Sequence, residues 1–325
     1  MSSLDSVFIE TPARLHFGVL DLRGRLGRCF GGLGAAIPSP SLLIEVRPAD
    51  RITAEGPDAD RALEFAQRWF SYRSISGGAH IRIHQAIPSH SGLGSGTQLG
   101  LAVARALGEL HGISSDPVQL AQSTGRGRRS AIGTWTFALG GFIVEGGRRP
   151  GSEKLAPLLA RFPIPASWRC VVAVPSGGRG LSGEAEARAF EQLPSPPDRE
   201  VELVSHLVLM QLLPALVEED LPSFGAALSM VQRITGSWFA PAQGGVFAPG
   251  PTEQLVQDMT ALGAVGVGQS SWGPAAYGLF GSTDAAAPVT RRLRESLGGR
   301  GQVFEGGFDV QGAQCWGGPK APQSD

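Results

Sequence analysis

Three short segments gather residue types able to hold an anion. Ser91-Gly92-Leu93-Gly94-Ser95-Gly96 follows Pro88 and His90 and opens a small-residue apolar run. Glycines at 92, 94 and 96 carry no Cβ, so the backbone can turn tightly and approach a ligand closely. Unpaired N–H groups in the first turn of a following helix would point into this loop with partial positive charge, which suits a phosphate. A second glycine-rich stretch, Gly125-Arg-Gly-Arg-Arg-Ser130, carries Arg126, Arg128 and Arg129, whose guanidinium groups match phosphate oxygens bidentately. A third, Gly268-Gln-Ser-Ser-Trp-Gly-Pro274, sets Gln269, Ser270 and Ser271 as donors on a glycine-flanked turn. Each has a plain alternative: a strand-to-helix turn that binds nothing, a solvated basic turn, a structural loop.

The elements around these segments follow from periodicity. The alternating run 79–84 predicts a strand ending before Pro88, and Leu99, Leu101, Val103, Ala106, Leu107 and Leu110 give the next stretch a buried helical face. Upstream, 7–20 reads as a strand on which Arg14 and His16 alternate onto one face, 21–28 as a polar turn, and 31–37, 41–47 and 52–54 as further strands. Residues 58–72 carry helical spacing, 117–124 a short helix, 125–141 a long functional loop, and 141–145 a strand. Glycine, proline and arginine crowd 146–167, which places a domain boundary there: 1–165, then 166–316, with a disordered tail over 317–325. In the second part 168–174, 264–268, 275–280 and 302–310 read as strands, and 203–217, 221–231, 252–262 and 284–297 as helices. Intermingled strands and helices in this order point to a two-domain α+β enzyme.

Composition narrows the partners. The formal net charge of −1 gives no bulk attraction to nucleic acid, and no uninterrupted apolar run approaches the roughly 18–20 residues that span a bilayer. Cys29, Cys170 and Cys315 are few and far apart, without metal-type spacing, and the N-terminus lacks a signal-peptide layout; both point to the cytoplasm. Lys154 and Lys320 are the only lysines, so chemistry needing a catalytic lysine has few candidates.

The pattern Pro88-x-x-x-Gly-Leu-Gly-Ser-Gly96 resembles the phosphate loop of the GHMP kinase superfamily. Pro12-Ala-Arg-Leu-His-Phe-Gly-Val-Leu-Asp-Leu22, Gly27-Arg28, Gly31-Gly-Leu-Gly34, the segment Gly125–Thr134 and Gly140-Gly-Phe-Ile-Val144 sharpen this. Together they resemble the β-ribofuranosylaminobenzene 5′-phosphate synthase family. The resemblance implies a two-domain GHMP-kinase-like fold, with an N-terminal α/β domain bearing the phosphate loop and a C-terminal ferredoxin-like α+β domain. It implies condensation of 4-aminobenzoate, or 4-hydroxybenzoate in some members, with phosphoribosyl pyrophosphate, releasing carbon dioxide and pyrophosphate in tetrahydromethanopterin biosynthesis. Mg²⁺ is expected with the pyrophosphate, and a homodimer is what the family implies. Asp21 and Arg28 match family motif positions and are the first candidates for catalysis, Asp21 to stabilise a cationic sugar, hold a metal or deprotonate the ring carbon's neighbours, and Arg28 to orient a substrate carboxylate or pyrophosphate; turn capping is the alternative for Asp21. Arg14, His16, His90, residues 91–96, the arginine cluster and Gln269, Ser270 and Ser271 are candidates for substrate and phosphate binding.

An ATP-dependent small-molecule kinase on the same scaffold is the alternative enzyme. Many superfamily kinases carry an aspartate in a Ser-Gly-Ile-Asp context that activates the acceptor hydroxyl. The corresponding stretch here is Ser130-Ala131-Ile132-Gly133, with glycine in the base's place. A non-catalytic binder of phosphorylated metabolites is the third reading.

Overall fold

The computed structural model describes residues 5–178, 180–181 and 183–318. The first half runs β1 (Val7–Asp21), β2 (Phe30–Ala49), β3 (Thr53–Glu55), α1 (Ala59–Arg73), β4 (Gly78–Gln85), α2 (Ser95–Leu110), α3 (Pro117–Thr124), α4 (Ile132–Leu139), β5 (Phe142–Glu145) and β6 (Leu158–Phe162). The second half runs β7 (Arg169–Pro175), α5 (Gly183–Gln192), α6 (Asp198–Leu207), a π-helical turn (Val208–Leu212), α7 (Leu213–Val217), α8 (Leu221–Gln243), α9 (Pro251–Ala261), β8 (Gly266–Gln269) and β9 (Ala276–Phe280). It closes with α10 (Thr283–Leu297), β10 (Gly301–Gly306) and β11 (Gln314–Gly317).

β1 and β2 form the spine of the first sheet, antiparallel along their length. Proline 38 and 40 do not split β2 as the sequence suggested. The register steps from Ala13↔Ile37 to Pro12↔Ser41, so residues 38–40 bulge out and the strand continues. Because β2 is long, its free edge serves two neighbours: Gly32–Ala35 pair with β5, and Leu43–Ala49 with β4. β11 adds to the other edge of β1, from Val7↔Gly317 to Glu10↔Gln314. Gly317, expected in a disordered tail, therefore closes a strand; residues 319–325 lie outside the described residues.

α2 crosses β1 and β2 with Leu99, Leu101, Val103, Ala106 and Leu107 buried, as its periodicity predicted. The sequence missed α4, expected as loop. Its apolar Ile132 and Phe137 are buried, and Gly133 packs so tightly on α2 that a Cβ there would lie 3.0 Å from the Thr97 methyl. In the second sheet, β10-β7-β9-β8, alternate residues of β7 face two cores. Val171 and Ala173 meet α9 and α10, while Cys170, Val172 and Val174 join the core that runs on into the first sheet through Phe17 and Tyr277, 5.1 Å apart between centroids.

The 20-residue helical run Asp198–Val217 is long and apolar enough, at mean hydropathy 1.5 over its best 18 residues, to cross a membrane by length and composition alone. Its Val201, Val204, Leu212 and Leu216 are buried in the protein core, and Glu200 accepts the Trp238 indole N–H at 2.6 Å.

Candidate active site

A cleft of about 1360 Å³ opens between β1, the 125–130 loop, α5 and α8. The glycine loop before α2 lies behind it: Thr97 of α2 lines the cleft, and His90 and residues 91–96 do not. Gly92 (φ +83°) and Gly94 (φ +80°) adopt left-handed backbone conformations, and a Cβ on Gly92 would lie 2.2 Å from the Ser270 carbonyl oxygen. The loop carbonyls turn into the protein. Leu93 O accepts from Arg14 N at 3.0 Å, Ser91 O from Ala275 N at 3.0 Å and His90 O from Gly180 N at 2.9 Å; Gly92 O accepts from Ser270 Oγ at 2.7 Å and from the Arg14 guanidinium. Carbonyls committed on one side leave the N–H groups opening α2 to face the other.

Two guanidinium groups stand at that helix end. A Cβ on Gly96 would lie 2.2 Å from Arg61 Nη2 and 3.1 Å from Arg126 Nη2. Arg126 lies over the Phe65 ring, 4.7 Å from its centroid, and its buried Nε has no partner among the described residues. Burial, then the positive charges of Arg61 and Arg68, push Arg126 down to about 10. Arg14, deeply buried, is also pushed down to about 10, by burial and against the pull of Glu186. Guanidinium groups held this way gain from an anion that neutralises them.

His16 borders the same cleft. Gly18 N–H donates to its Nδ1 at 3.3 Å, so Nε2 carries the proton and donates to Ser130 Oγ at 3.1 Å. Ser130 in turn bonds the buried Glu145 carboxylate, which also accepts from Ala131 N and, at 2.7 Å, from Gly147 N. Burial, then the charge on Arg14, push His16 down to about 3, so its imidazole is neutral at physiological pH.

Beside Arg129 the cleft wall is aromatic. Phe190 packs edge-on against Phe30, Phe239 and Trp272, and Phe239 meets Trp272 at 4.8 Å between centroids. Glu186 joins this wall to the arginines through Arg129, at 2.6 Å.

Of the residues expected from sequence, the structure brings Arg14, His16, Arg126, Arg128, Arg129, Gln269 and Ser271 to the cleft. Ser91, Leu93, Ser95 and Ser270 are buried around it as scaffold. Gln269 is committed to Ala248 N, Ser271 O and Gln243 Oε1, which fixes the wall and leaves its amide little to offer a ligand. Asp21 and Arg28 do not line the cleft. Asp21 accepts from Arg23 N at 2.6 Å and Gly24 N at 3.3 Å, closing a turn, while Arg28 donates to the carbonyls of Gly146 and Gly147. Trp272 lines the cleft, whereas Trp135 and Phe137 do not. Sequence reasoning missed Arg61, Arg68, Glu186, Phe190 and Phe239, which sit on helices without a motif. The Glu-Ala-Glu-Ala-Arg-Ala alternation of α5 reads as a solvated face.

The GHMP kinases N terminal domain family matches residues 59–141, and the GHMP kinases C terminal family residues 212–298. A beta-ribofuranosylphenol 5′-phosphate synthase of Methanothermobacter thermautotrophicus is 33% identical, covering 93% of this chain and 96% of that protein. The chain belongs to this synthase family. Synthases of the same name from Archaeoglobus fulgidus, at 33% identity over 90% of this chain and 93% of theirs, and Methanocaldococcus jannaschii, at 30% over 95% and 100%, also match. Among solved structures, homoserine kinase from Cytophaga hutchinsonii superposes with a TM-score of 0.72 at 19% identity, covering 97% of this chain and 99% of that one. Mevalonate kinase of L. major gives 0.67 at 18%, covering 93% and 96%. The family thus carries the GHMP kinase fold.

Proposed function

We propose that the chain is a decarboxylating phosphoribosyltransferase. It condenses 4-hydroxybenzoate or 4-aminobenzoate with 5-phosphoribosyl 1-pyrophosphate to give the β-ribofuranosyl phenol or aminobenzene 5′-phosphate, carbon dioxide and pyrophosphate, in tetrahydromethanopterin biosynthesis. The observation that carries this reading is one cleft in which Arg14, Arg126, Arg128 and Arg129 adjoin an aromatic wall of Phe190, Phe239 and Trp272. Family membership supports it, since the curated relatives are named for the phenol product.

In this reaction the bond from ribose C1 to pyrophosphate breaks, and its electron pair leaves with the diphosphate oxygen. The ring carbon bearing the carboxylate donates a π pair to C1, forming the new carbon–carbon bond. The carboxylate bond then breaks, its pair returning to the ring as carbon dioxide departs. Arg126, with Arg61 beside it at the head of α2, holds the departing diphosphate as a fixed donor. Phe190, Phe239 and Trp272 give the benzoate ring an apolar slot. His16, neutral and with both ring nitrogens engaged, shapes the cleft without titrating in it.

Among the described residues no group of three or more His, Cys, Asp or Glu side chains could hold a metal ion. The residues therefore fit an ion carried mainly on phosphate oxygens; when bound, Mg²⁺ supplies neutralisation of the diphosphate charge.

The test is release of labelled carbon dioxide from carboxyl-labelled 4-hydroxybenzoate and 4-aminobenzoate, with the sugar donor and Mg²⁺. Release that depends on the donor is the expected result. Folded protein that releases none with either benzoate overturns the reading.

A further inference from the structure

An anion-binding cleft with a carboxylate in its wall works against itself, since that carboxylate repels both negatively charged substrates. Glu186 is such a group. Its Oε2 pairs with Arg129 Nη2 at 2.6 Å, it accepts the Trp272 indole N–H, and the charges of Arg14 and Arg126 also act on it. Arg129 lies 5.5 Å from the centroid of Phe190, and Phe190 meets Trp272 edge-on. Glu186 thus occupies the seam between the arginine wall and the aromatic wall.

The other carboxylates lining the cleft, among the described residues, are differently placed: the Glu184 side chain is 92% exposed, and Glu64 is exposed on α1. Burial raises the Glu186 carboxyl above the usual range, against Arg129, Arg14, the Trp272 bond and Arg126. A cation arriving beside it would favour its charged form.

We infer that Glu186 is a catalytic residue whose carboxylate faces ribose C1 and stabilises the positive charge that develops there as the diphosphate leaves. The inference rests on the proposed reaction. With the diphosphate at the arginines and the ring on the aromatics, the carbon that exchanges one bond for the other lies at their seam, where Glu186 stands. The carbon–oxygen pair departs with the diphosphate, and until the ring supplies its own pair C1 is electron-poor. A fixed carboxylate is worth most at that moment. Its repulsion of the bound substrates is the ground-state counterpart of the same charge.

This sign gives a test that a structural role does not mimic. Glu186→Gln keeps the side chain's size and an acceptor for Trp272 but removes the charge, and Glu186→Asp keeps the charge. Steady-state carbon dioxide release is measured for wild type and both variants with each benzoate, varying the sugar donor. The expected result for Glu186→Gln is a kcat about 10²-fold lower with both benzoates. The KM for the sugar donor should be unchanged or lower, and Glu186→Asp should keep at least about a tenth of wild-type kcat. Pyrophosphate-dependent thermal stabilisation, read without turnover, should persist in Glu186→Gln and show the anion site intact. A kcat less than tenfold below wild type overturns the assignment. So does a fall in kcat matched by a rise in KM and a lost pyrophosphate shift, the pattern expected if Glu186 only holds Arg129 in place. A wild-type chain that releases no carbon dioxide overturns the functional reading itself, independently of either variant.

Discussion

Arg126→Met separates ligand binding from fold stability more cleanly than other changes in this cleft. The guanidinium is largely buried, sits at the head of α2 and has no partner for its Nε among the described residues. Its interactions in the free protein include the Phe65 ring face, repulsion from Arg61 and Arg68, and a smaller attraction to Glu64 and Glu186. Methionine keeps contact with that ring and removes the repulsion and the desolvated charge, so the unliganded melting temperature should hold or rise. Binding is affected in the opposite sense. A charge-assisted hydrogen bond contributes about 1.5–3 kcal/mol. Losing a two-pronged contact to the diphosphate, at about 3 kcal/mol, lowers kcat/KM for the sugar donor roughly 10²-fold. The assay pairs carbon dioxide release with thermal melts in pyrophosphate. At about 100 times Kd, pyrophosphate should add about 2.7 kcal/mol to wild type and much less to the variant. A variant that melts well below wild type yet keeps wild-type kcat/KM and the pyrophosphate shift would refute the reasoning, because Arg126 would then be a structural residue.

Other outcomes follow from the same geometry. His16 has a folded pKa near 3 against an ordinary 6.5, so the unfolded chain binds more protons between those values and stability falls as pH drops through that window. The upper bound is about 5 kcal/mol, and chemical unfolding across pH should show a shallower acid loss in His16→Gln; an unchanged slope contradicts the assignment. Asp21→Ala should keep carbon dioxide release within about threefold of wild type while losing about 1 kcal/mol of stability, because it removes turn-closing bonds to Arg23 N and Gly24 N; a collapse of turnover in a stable variant would return Asp21 to the chemistry. Gly92→Ala forces a Cβ into the Ser270 carbonyl from a left-handed backbone, so both stability, by more than about 1 kcal/mol, and donor affinity should fall together; a loss of one without the other would break the link between loop and turn.

The phosphate loop was readable because its requirement is local. Gly92 and Gly94 need left-handed backbone, and the helix they open announces itself by a strong apolar period. Arg126 and Arg129 were legible as cations in a glycine-rich loop, and Arg14 by its alternation with His16 on the first strand. The partners that give them meaning were not. Glu186 reaches Arg129 across 57 residues of sequence and lies on a helix whose other faces are solvated, so nothing near it marks a site. Glu145 reads as the polar end of a strand, yet it is fully buried because Ser130 and two backbone N–H groups satisfy it from the neighbouring loops. Asp21 and Arg28 erred in the other direction. A charged residue among glycines signals a tight turn as readily as a binding loop, and here the turn prevails. α4 was lost because glycine at 125, 127 and 133 outweighed Ile132 and Phe137, although Gly133 serves close helix packing on Thr97.

The strand that carries Arg14 and His16 is completed by the last described strand of the chain. β2 covers one edge of β1 early in synthesis, but Val7–Glu10 on the other edge find their hydrogen-bonding partners only in Gln314–Gly317. On the ribosome, the growing protein therefore carries an open sheet edge until Gln314–Gly317 have emerged, with apolar Val7, Phe8 and Ile9 along it. β11 locks that edge: a chain that lacks Gln314–Gly317 can fold most of its helices and still leave exposed the edge along which chains aggregate.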